Sequence, residues 1–252
     1  MLSTLARFSR TVAPAARRFK LYTAPTPNGH QPSVMLEELK AIYGPTMDYD
    51  VEKLNLFGSD KPPQKEPWFL AMNPNGRIPV LTDRSRNDFH VFETAAILLY
   101  LAQHYDREYH LWFDPNTDGD SYSQMLQWIF FADKASTPRI FSVVSKLRSH
   151  GTLASAYHFR SSAPEQIPYA INRFRNEVER VYGAFDSHLH ERDWLAGAGH
   201  GKYSLADIKA FPWIRGHPGI GIETLDRWPN LKAWLTRAEI RPAVKAGLEI
   251  PQ

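Results

Sequence analysis

The stretch Asn73-Pro-Asn-Gly-Arg-Ile-Pro79-Val-Leu-Thr-Asp83, followed by Val91-Phe-Glu-Thr-Ala-Ala-Ile-Leu-Leu-Tyr100, constrains the fold most. The first part reads as an Asn/Gly turn running into a short strand opened by Pro79. Proline has no amide N–H, so Pro79 marks an edge, a bend or a cis bond, not the middle of a paired strand. The second part ends a strand at Phe92 and opens a helix at Glu93. A Thr at a helix mouth sets a hydroxyl beside free backbone N–H groups and the positive dipole end, a place for a carboxylate. Glu93 beside Thr94 supplies a counter-charge for an ammonium group. On residue chemistry alone, a structural cap and a site for an amino-acid-like ligand end both remain open.

The rest of the first hundred residues fits a small α/β unit. Phe19–Ala24 reads as a strand and Pro25–His30 as a turn. A helix then follows, with Pro32 in its first turn and Gly44-Pro45 as its stop. Strand candidates are Met47–Val51, Ile78–Thr82 and Phe89–Phe92. A short helix is expected over Pro67–Met72 and a strongly apolar one over Ala95–His104. The order β-α-β-α-β-β-α predicts a mixed sheet with helices. A linker rich in Asp, Pro, Asn and Gly follows, and beyond it the pattern is helical: Ser121–Leu147, Pro164–His190, Ser204–Arg215 and Pro229–Ala238. Ser204-Leu-Ala-Asp207 is a capping box with Asp in the usual Glu or Gln position. The expected organisation is a leader over 1–18, an α/β domain over 19–105, a linker over 106–119 and an all-helical domain over 120–252.

Charge needs to be read by segment. The chain of 252 residues carries 30 Lys and Arg against 27 Asp and Glu. Five of the basic residues, Arg7, Arg10, Arg17, Arg18 and Lys20, lie in the first twenty with no acid, so the remaining 25 against 27 leave a formal −2. The basicity belongs to the N-terminus, and no nucleic-acid surface is expected on the body. That leader is Arg-rich, bears Ser and Thr, and aligns Leu2, Leu5, Phe8 and Val12 on one helical face. It has the composition of a mitochondrial transit peptide; the alternatives are a disordered basic tail and a cytoplasmic protein. The longest apolar run, Ala95–Ala102, is too short to span a membrane. With no cysteine in the chain, thiolate nucleophiles and thiolate metal sites are excluded from it.

Several tempting features carry little. His188 and His190 near Asp186 diverge on a helix at i and i+2, so they read as solvated histidines and no metal is expected. The cations Arg139, Lys146, Arg148, His150, His158 and Arg160 read as a solvated or interface face. Trp128-Ile-Phe-Phe131 reads as core or cleft wall. Thr26 and Asn28 place a hydroxyl and an amide just after the first strand, on chemistry alone a turn. No phosphate loop and no nucleophile elbow is present.

The ordered set Ala24-Pro-Thr-Pro-Asn-Gly-His30, Asn73-Pro-Asn-Gly-Arg-Ile-Pro79, Glu93-Thr94, Ala163-Pro-Glu-Gln-Ile-Pro-Tyr-Ala-Ile171, Tyr203-Ser-Leu-Ala-Asp-Ile208 and Arg241-Pro-Ala-Val244 resembles the glutathione S-transferases. The resemblance covers most of residues 19–245 and is to the bacterial Nu-class enzymes and their fungal relatives, among them a yeast nitrogen regulator. It implies an N-terminal thioredoxin-like domain followed by an all-helical C-terminal domain, and glutathione as co-substrate. It implies a cis Pro79, with Ile78 pairing through its backbone to the cysteinyl unit as an added strand. Glu93 and Thr94 would take the γ-glutamyl amine and carboxylate, and Gln64 the glycyl end. Thr26 and Asn28 would donate to the sulfur and lower the thiol pKa. Arg173 matches a family arginine that approaches glutathione across a homodimer interface.

The implied activity is disulfide reduction or conjugation to small electrophiles, with hydroperoxides as further substrates. The alternative is a non-catalytic glutathione-binding regulator acting through protein contacts. Where the family often reads Glu-Ser-Gly, this chain has Glu93-Thr94-Ala95, whose extra methyl needs room. The usually apolar, Gly-rich segment of the second-substrate pocket is replaced here by Ala132-Asp-Lys-Ala-Ser-Thr-Pro-Arg139.

Overall fold

The computed structural model describes residues 17–56, 61–136 and 152–252. Strands β1 (Phe19–Thr23), β2 (Tyr49–Lys53), β3 (Val80–Asp83) and β4 (Phe89–Phe92) form one sheet in the order β2-β1-β3-β4. β1 and β2 are parallel, and β3 runs antiparallel to both β1 and β4. Helices α1 (Pro27–Tyr43), α2 (Pro67–Leu70) and α3 (Thr94–Tyr105) complete the β-α-β-α-β-β-α order. The expected thioredoxin-like domain is therefore present, as is the helical half: α4 (Gly119–Ser136), α5 (Thr152–Tyr157), α6 (Pro168–His188), α7 (Leu205–Arg215), α8 (Pro229–Glu239) and α9 (Pro242–Leu248).

The period of two along the strands decides which helix covers which face. Leu21, Leu81 and Val91 are cross-strand partners and join α1 and α3 in the main core. Tyr22 and Val80, one residue along, point the other way and pack with Leu54, Ile78 and Phe69 of α2. The main core does not end at the sheet. It runs from Phe19 through Leu101, Ile129, Phe185 and Trp234 to Val244, so both halves share one apolar interior.

Helix α7 sits at the centre of that interior. Nine of its residues are buried, including Asp207 and Lys209, and a helix buried on all sides is a core helix. Its start is fixed by the expected capping box: Asp207 accepts from the backbone N–H of Ser204 at 2.9 Å. The same carboxylate accepts from Leu195 N–H at 3.1 Å and from the Trp234 indole at 2.8 Å. Helix α9 closes the chain onto α1. Arg241 donates twice to the buried Glu38 carboxylate, at 2.7 and 2.8 Å. Ser33 Oγ donates to Gly247 O at 2.7 Å.

Several boundaries differ from expectation. Helix α1 begins at Pro27, with Thr26 as its N-cap, so Pro32 is interior rather than in the first turn. A proline at the first helical position needs no N–H, and the Pro25–His30 cluster is therefore half cap and half helix. β3 starts at Val80, where N–H groups become available to the ladder. Helix α6 starts at Pro168, not Pro164. Helices α5 and α9, of six and seven residues, were not anticipated because two turns show little periodicity. The last part of the helix expected over Ser121–Leu147 lies outside the described residues, as do most of the leader and the cations Arg139, Lys146, Arg148 and His150.

Candidate functional site

The sheet register gathers the candidate residues. Tyr22 pairs with Val80, and Val80 with Phe92. The C-terminal end of β1, the N-terminal end of β3 and the C-terminal end of β4 therefore coincide. Thr26 and Asn28 leave that edge after β1, Ile78 and Pro79 enter it before β3, and Glu93 and Thr94 leave it after β4. Residues separated by up to 68 positions thus share one end of the sheet because of the register alone.

The β1–α1 turn is tightly determined. Thr26 is extended, and its Oγ1 accepts from Gly29 N–H at 3.1 Å. That bond uses a lone pair and leaves the hydroxyl hydrogen to donate elsewhere. A Cβ on Gly29 would lie 2.0 Å from Ala24 O, so only glycine fits this approach. Asn28 follows in the first turn of α1. Its Oδ1 accepts from the Trp213 indole at 3.0 Å and from Gln31 Nε2 at 3.4 Å. Both donors meet the oxygen, so the Asn28 NH₂ is turned away from them.

The Asn73–Pro79 segment is held by its own polar groups. Asn73 is buried; its Oδ1 accepts from Asn75 N–H at 3.0 Å and its Nδ2 donates to Arg77 O at 2.7 Å. Gly76 has φ +61°, the left-handed region in which glycine carries no Cβ penalty. The Ile78–Pro79 bond is cis, and Ile78 lies beyond the last ladder pair. Lys65 Nζ donates to Gly76 O at 2.6 Å and brings the Pro63–Lys65 turn alongside. Gln64 is in that turn, and its Oε1 is buried without a hydrogen-bond partner among the described residues. A buried orphan acceptor costs free energy that a ligand N–H would offset.

Glu93 occupies the N-cap position of α3, yet its side chain makes no capping bond. It is exposed, with φ +69°, a conformation that costs a non-glycine residue about 1 kcal/mol or more. A capping role does not account for Glu93. Thr94 is buried, and its Oγ1 accepts from the ammonium of Lys209 on α7. Ala95 is buried, so the methyl noted as a departure is absorbed into the core. Lys209 and Trp213 had no signal in the sequence. Each meets its partner across a long separation, 115 and 185 residues respectively.

Arg173 is exposed on α6, which packs on α5 and α8 rather than against the sheet edge. One chain alone does not bring it to the other candidates. Outside the site, His188 and Asp186 are both engaged by the fold. His188 is half-buried rather than solvated: its Nε2 lies 2.8 Å from Leu195 O and its ring packs, tilted, against Trp128. Asp186 is used by the start of α8, accepting from Asn230 and Leu231 N–H at 2.8 and 3.0 Å. No cluster of three metal-ligating side chains occurs among the described residues. An open cleft of about 570 Å³ beside Arg18, Tyr43, Ser85 and Tyr105 lies at the opposite end of the sheet, away from this chemistry.

Comparison with known proteins agrees with the fold. The family model for the glutathione S-transferase N-terminal domain matches residues 17–103, and that for the C-terminal domain matches 155–242. The disulfide-bond oxidoreductase YfcG of Escherichia coli K12 is 34% identical, over 90% of this chain and 93% of its own. A crystal structure of a glutathione transferase homologue from Lodderomyces elongisporus with two glutathione molecules per subunit is 32% identical. It superposes with a TM-score of 0.76 over 93% of this chain and 99% of that one. The glutathione transferase URE2P6 of Phanerochaete chrysosporium in complex with oxidized glutathione is 32% identical, with a TM-score of 0.78 over 92% and 96% of the two chains.

Proposed function

The chain belongs to the glutathione S-transferase family, and on that premise we propose that it activates bound glutathione as a thiolate for the reduction of small disulfides. The observation that carries this reading is the convergence of Thr26/Asn28, Ile78 and Glu93/Thr94 on one sheet edge. The tripeptide would lie along that edge. Its γ-glutamyl amine meets the exposed Glu93 carboxylate, and its carboxylate meets Thr94 and the N-terminus of α3. Its cysteinyl backbone pairs with Ile78 as a short added strand. Its glycyl end reaches Gln64, whose buried oxygen has no partner among the described residues. Arg173 would serve the site of a second subunit in a homodimer. Phe89 and Phe92 are exposed on opposite faces of β4, the edge strand, and leave that edge apolar on both sides for such pairing.

The sulfur then falls beside Thr26 and Asn28. A hydroxyl and an amide N–H donating to sulfur favour the thiolate over the thiol. The thiolate attacks one sulfur of a disulfide R–S–S–R′, forming a glutathionyl mixed disulfide and releasing R′S⁻, which takes a proton. A second glutathione thiolate attacks the glutathionyl sulfur of that mixed disulfide. Oxidized glutathione forms and RS⁻ leaves, so two thiols are oxidised for each disulfide reduced. The two glutathiones in the Lodderomyces homologue and the oxidized glutathione in URE2P6 support a scheme that uses two glutathiones.

The test is turnover of 2-hydroxyethyl disulfide with glutathione, using protein that begins near Phe19. Disulfide turnover above that with chlorodinitrobenzene or a hydroperoxide is the expected result. Glutathione binding without turnover of any of the three would instead assign a non-catalytic regulator. The homodimer is checked by light scattering. Mitochondrial import through residues 1–18 is proposed on composition and is tested with a 1–25 reporter fusion; cytosolic retention rejects it.

A further inference from the structure

Helix α7 reaches both ends of the proposed cradle with side chains of one hydrogen-bonding kind. Lys209 and Trp213 are spaced i, i+4 and so lie on one helical face. An ammonium and an indole N–H are donors without acceptor capacity. Lys209 donates to Thr94 Oγ1 at one end, and Trp213 Nε1 donates to Asn28 Oδ1 at the other. A group that can only donate leaves its partner a single role, which is to accept.

At Asn28 the consequence is specific. Asn28 Oδ1 and Gln31 Nε2 lie 3.4 Å apart, and an amide pair of this kind keeps its mutual bond if both amides rotate by half a turn. The Asn28–Gln31 pair alone therefore permits two arrangements. One presents the Asn28 NH₂ towards the sulfur site, the other its oxygen. Trp213 breaks the tie, because only Oδ1 can receive the indole N–H. At Thr94 the bond from Lys209 occupies an oxygen lone pair, so the hydroxyl hydrogen is directed to another acceptor. Lys209 is 1% exposed, so its Nζ is held in place beneath the N-terminus of α3.

We propose that Lys209 and Trp213 are positioning residues through which α7 sets the hydrogen-bond polarity of the glutathione site, Trp213 for the thiolate and Lys209 for the γ-glutamyl carboxylate. This rests on the glutathione reading above. It gives the helical domain a part in thiol activation from outside the domain that cradles the tripeptide.

The two ends predict different readouts. Trp213→Phe should raise the pKa of the bound thiol by about one unit, read from thiolate ultraviolet absorbance, and change the glutathione Kd less than about twofold. In an Asn28→Ala background the same substitution should add no further rise. Lys209→Met should weaken glutathione binding about tenfold and leave the bound thiol pKa in place. Lys209→Gln, which retains an N–H donor, should recover part of that loss. γ-Aminobutyryl-cysteinyl-glycine, which lacks the γ-glutamyl carboxylate, should bind Lys209→Met and wild type alike. If Trp213→Phe fails to fold, the sulfur isostere benzothienylalanine at position 213 keeps the shape and removes the N–H. A thiol pKa unmoved in a folded Trp213 variant, or equal changes of Kd and pKa in both variants, overturns the proposal. Wild-type protein that fails to bind glutathione overturns the underlying reading and this one with it.

Discussion

Asn28 and Glu93 stand at opposite ends of the proposed cradle, and their chemistry separates activation from binding. Asn28→Ala removes a donor to the thiolate. It should lower disulfide turnover about tenfold or more while changing glutathione affinity far less. Equal losses would mean that Asn28 only holds the ligand. Glu93→Ala removes an exposed carboxylate that makes no capping bond, so Kd should weaken with little change in the turnover of bound substrate. An unchanged Kd would reject the ammonium contact. Asp207 provides a pH prediction at the same scale. Burial is the leading influence and pushes its carboxyl up to about 6 from 3.8, against the N–H donors of Trp234, Leu195 and Ser204 that favour the charge. A raised folded-state pKa gives stability that is complete below the unfolded value and is lost as pH rises through about 6. The stability of wild type relative to Asp207→Asn should therefore fall between pH 4 and pH 7, by about 3 kcal/mol at most. Urea unfolding of both proteins across that range checks it; a gap that widens with pH refutes it.

Among the elements, β4 has the limits that the sequence predicts, Phe89–Phe92, because polar segments bound it on both sides. Helix α1 starts earlier than the sequence predicts. The Pro25–His30 residues satisfy turn and helix N-terminus equally well, and the choice is made by Thr26 accepting the Gly29 N–H. The same turn carries Thr26 and Asn28, so its backbone geometry is part of the site. Gly29→Ala sets a methyl 2.0 Å from the Ala24 carbonyl oxygen, a backbone atom with no rotamer to yield. It should cost about 2 kcal/mol or more and weaken both glutathione affinity and turnover. Calorimetry and glutathione titration on one preparation would show it. Full stability with full affinity would contradict the close approach.

For the whole molecule, one core spans both halves, and the C-terminal helix fastens onto the helix that begins at the site. Glu38 is 3% exposed and is held by two bonds from Arg241, whose guanidinium also lies 3.7 Å above the Tyr203 ring. Arg241→Met leaves a buried carboxylate without its partner and should destabilise by about 3 kcal/mol. Adding Glu38→Gln should return part of that loss, because the stranded charge is removed. A single-variant cost below about 1 kcal/mol would mean that α9 docks through its apolar contacts alone. The shared core also bears on the proposed site, since α7 lies between the halves and touches Asn28 and Thr94 from the helical side.

The sequence by itself determined the element order of the α/β half, the helical character of the second half and the short polar segments that meet at the sheet edge. It could do so because strand and helix periods, prolines and turn residues act over a few neighbouring positions. Only the tertiary structure decided that the register of β1, β3 and β4 brings those segments together, that Glu93 is not a cap, and that Lys209 and Trp213 stand behind Thr94 and Asn28. Hydrogen-bond direction across 115 and 185 residues depends on packing, and packing leaves no periodic trace in the chain.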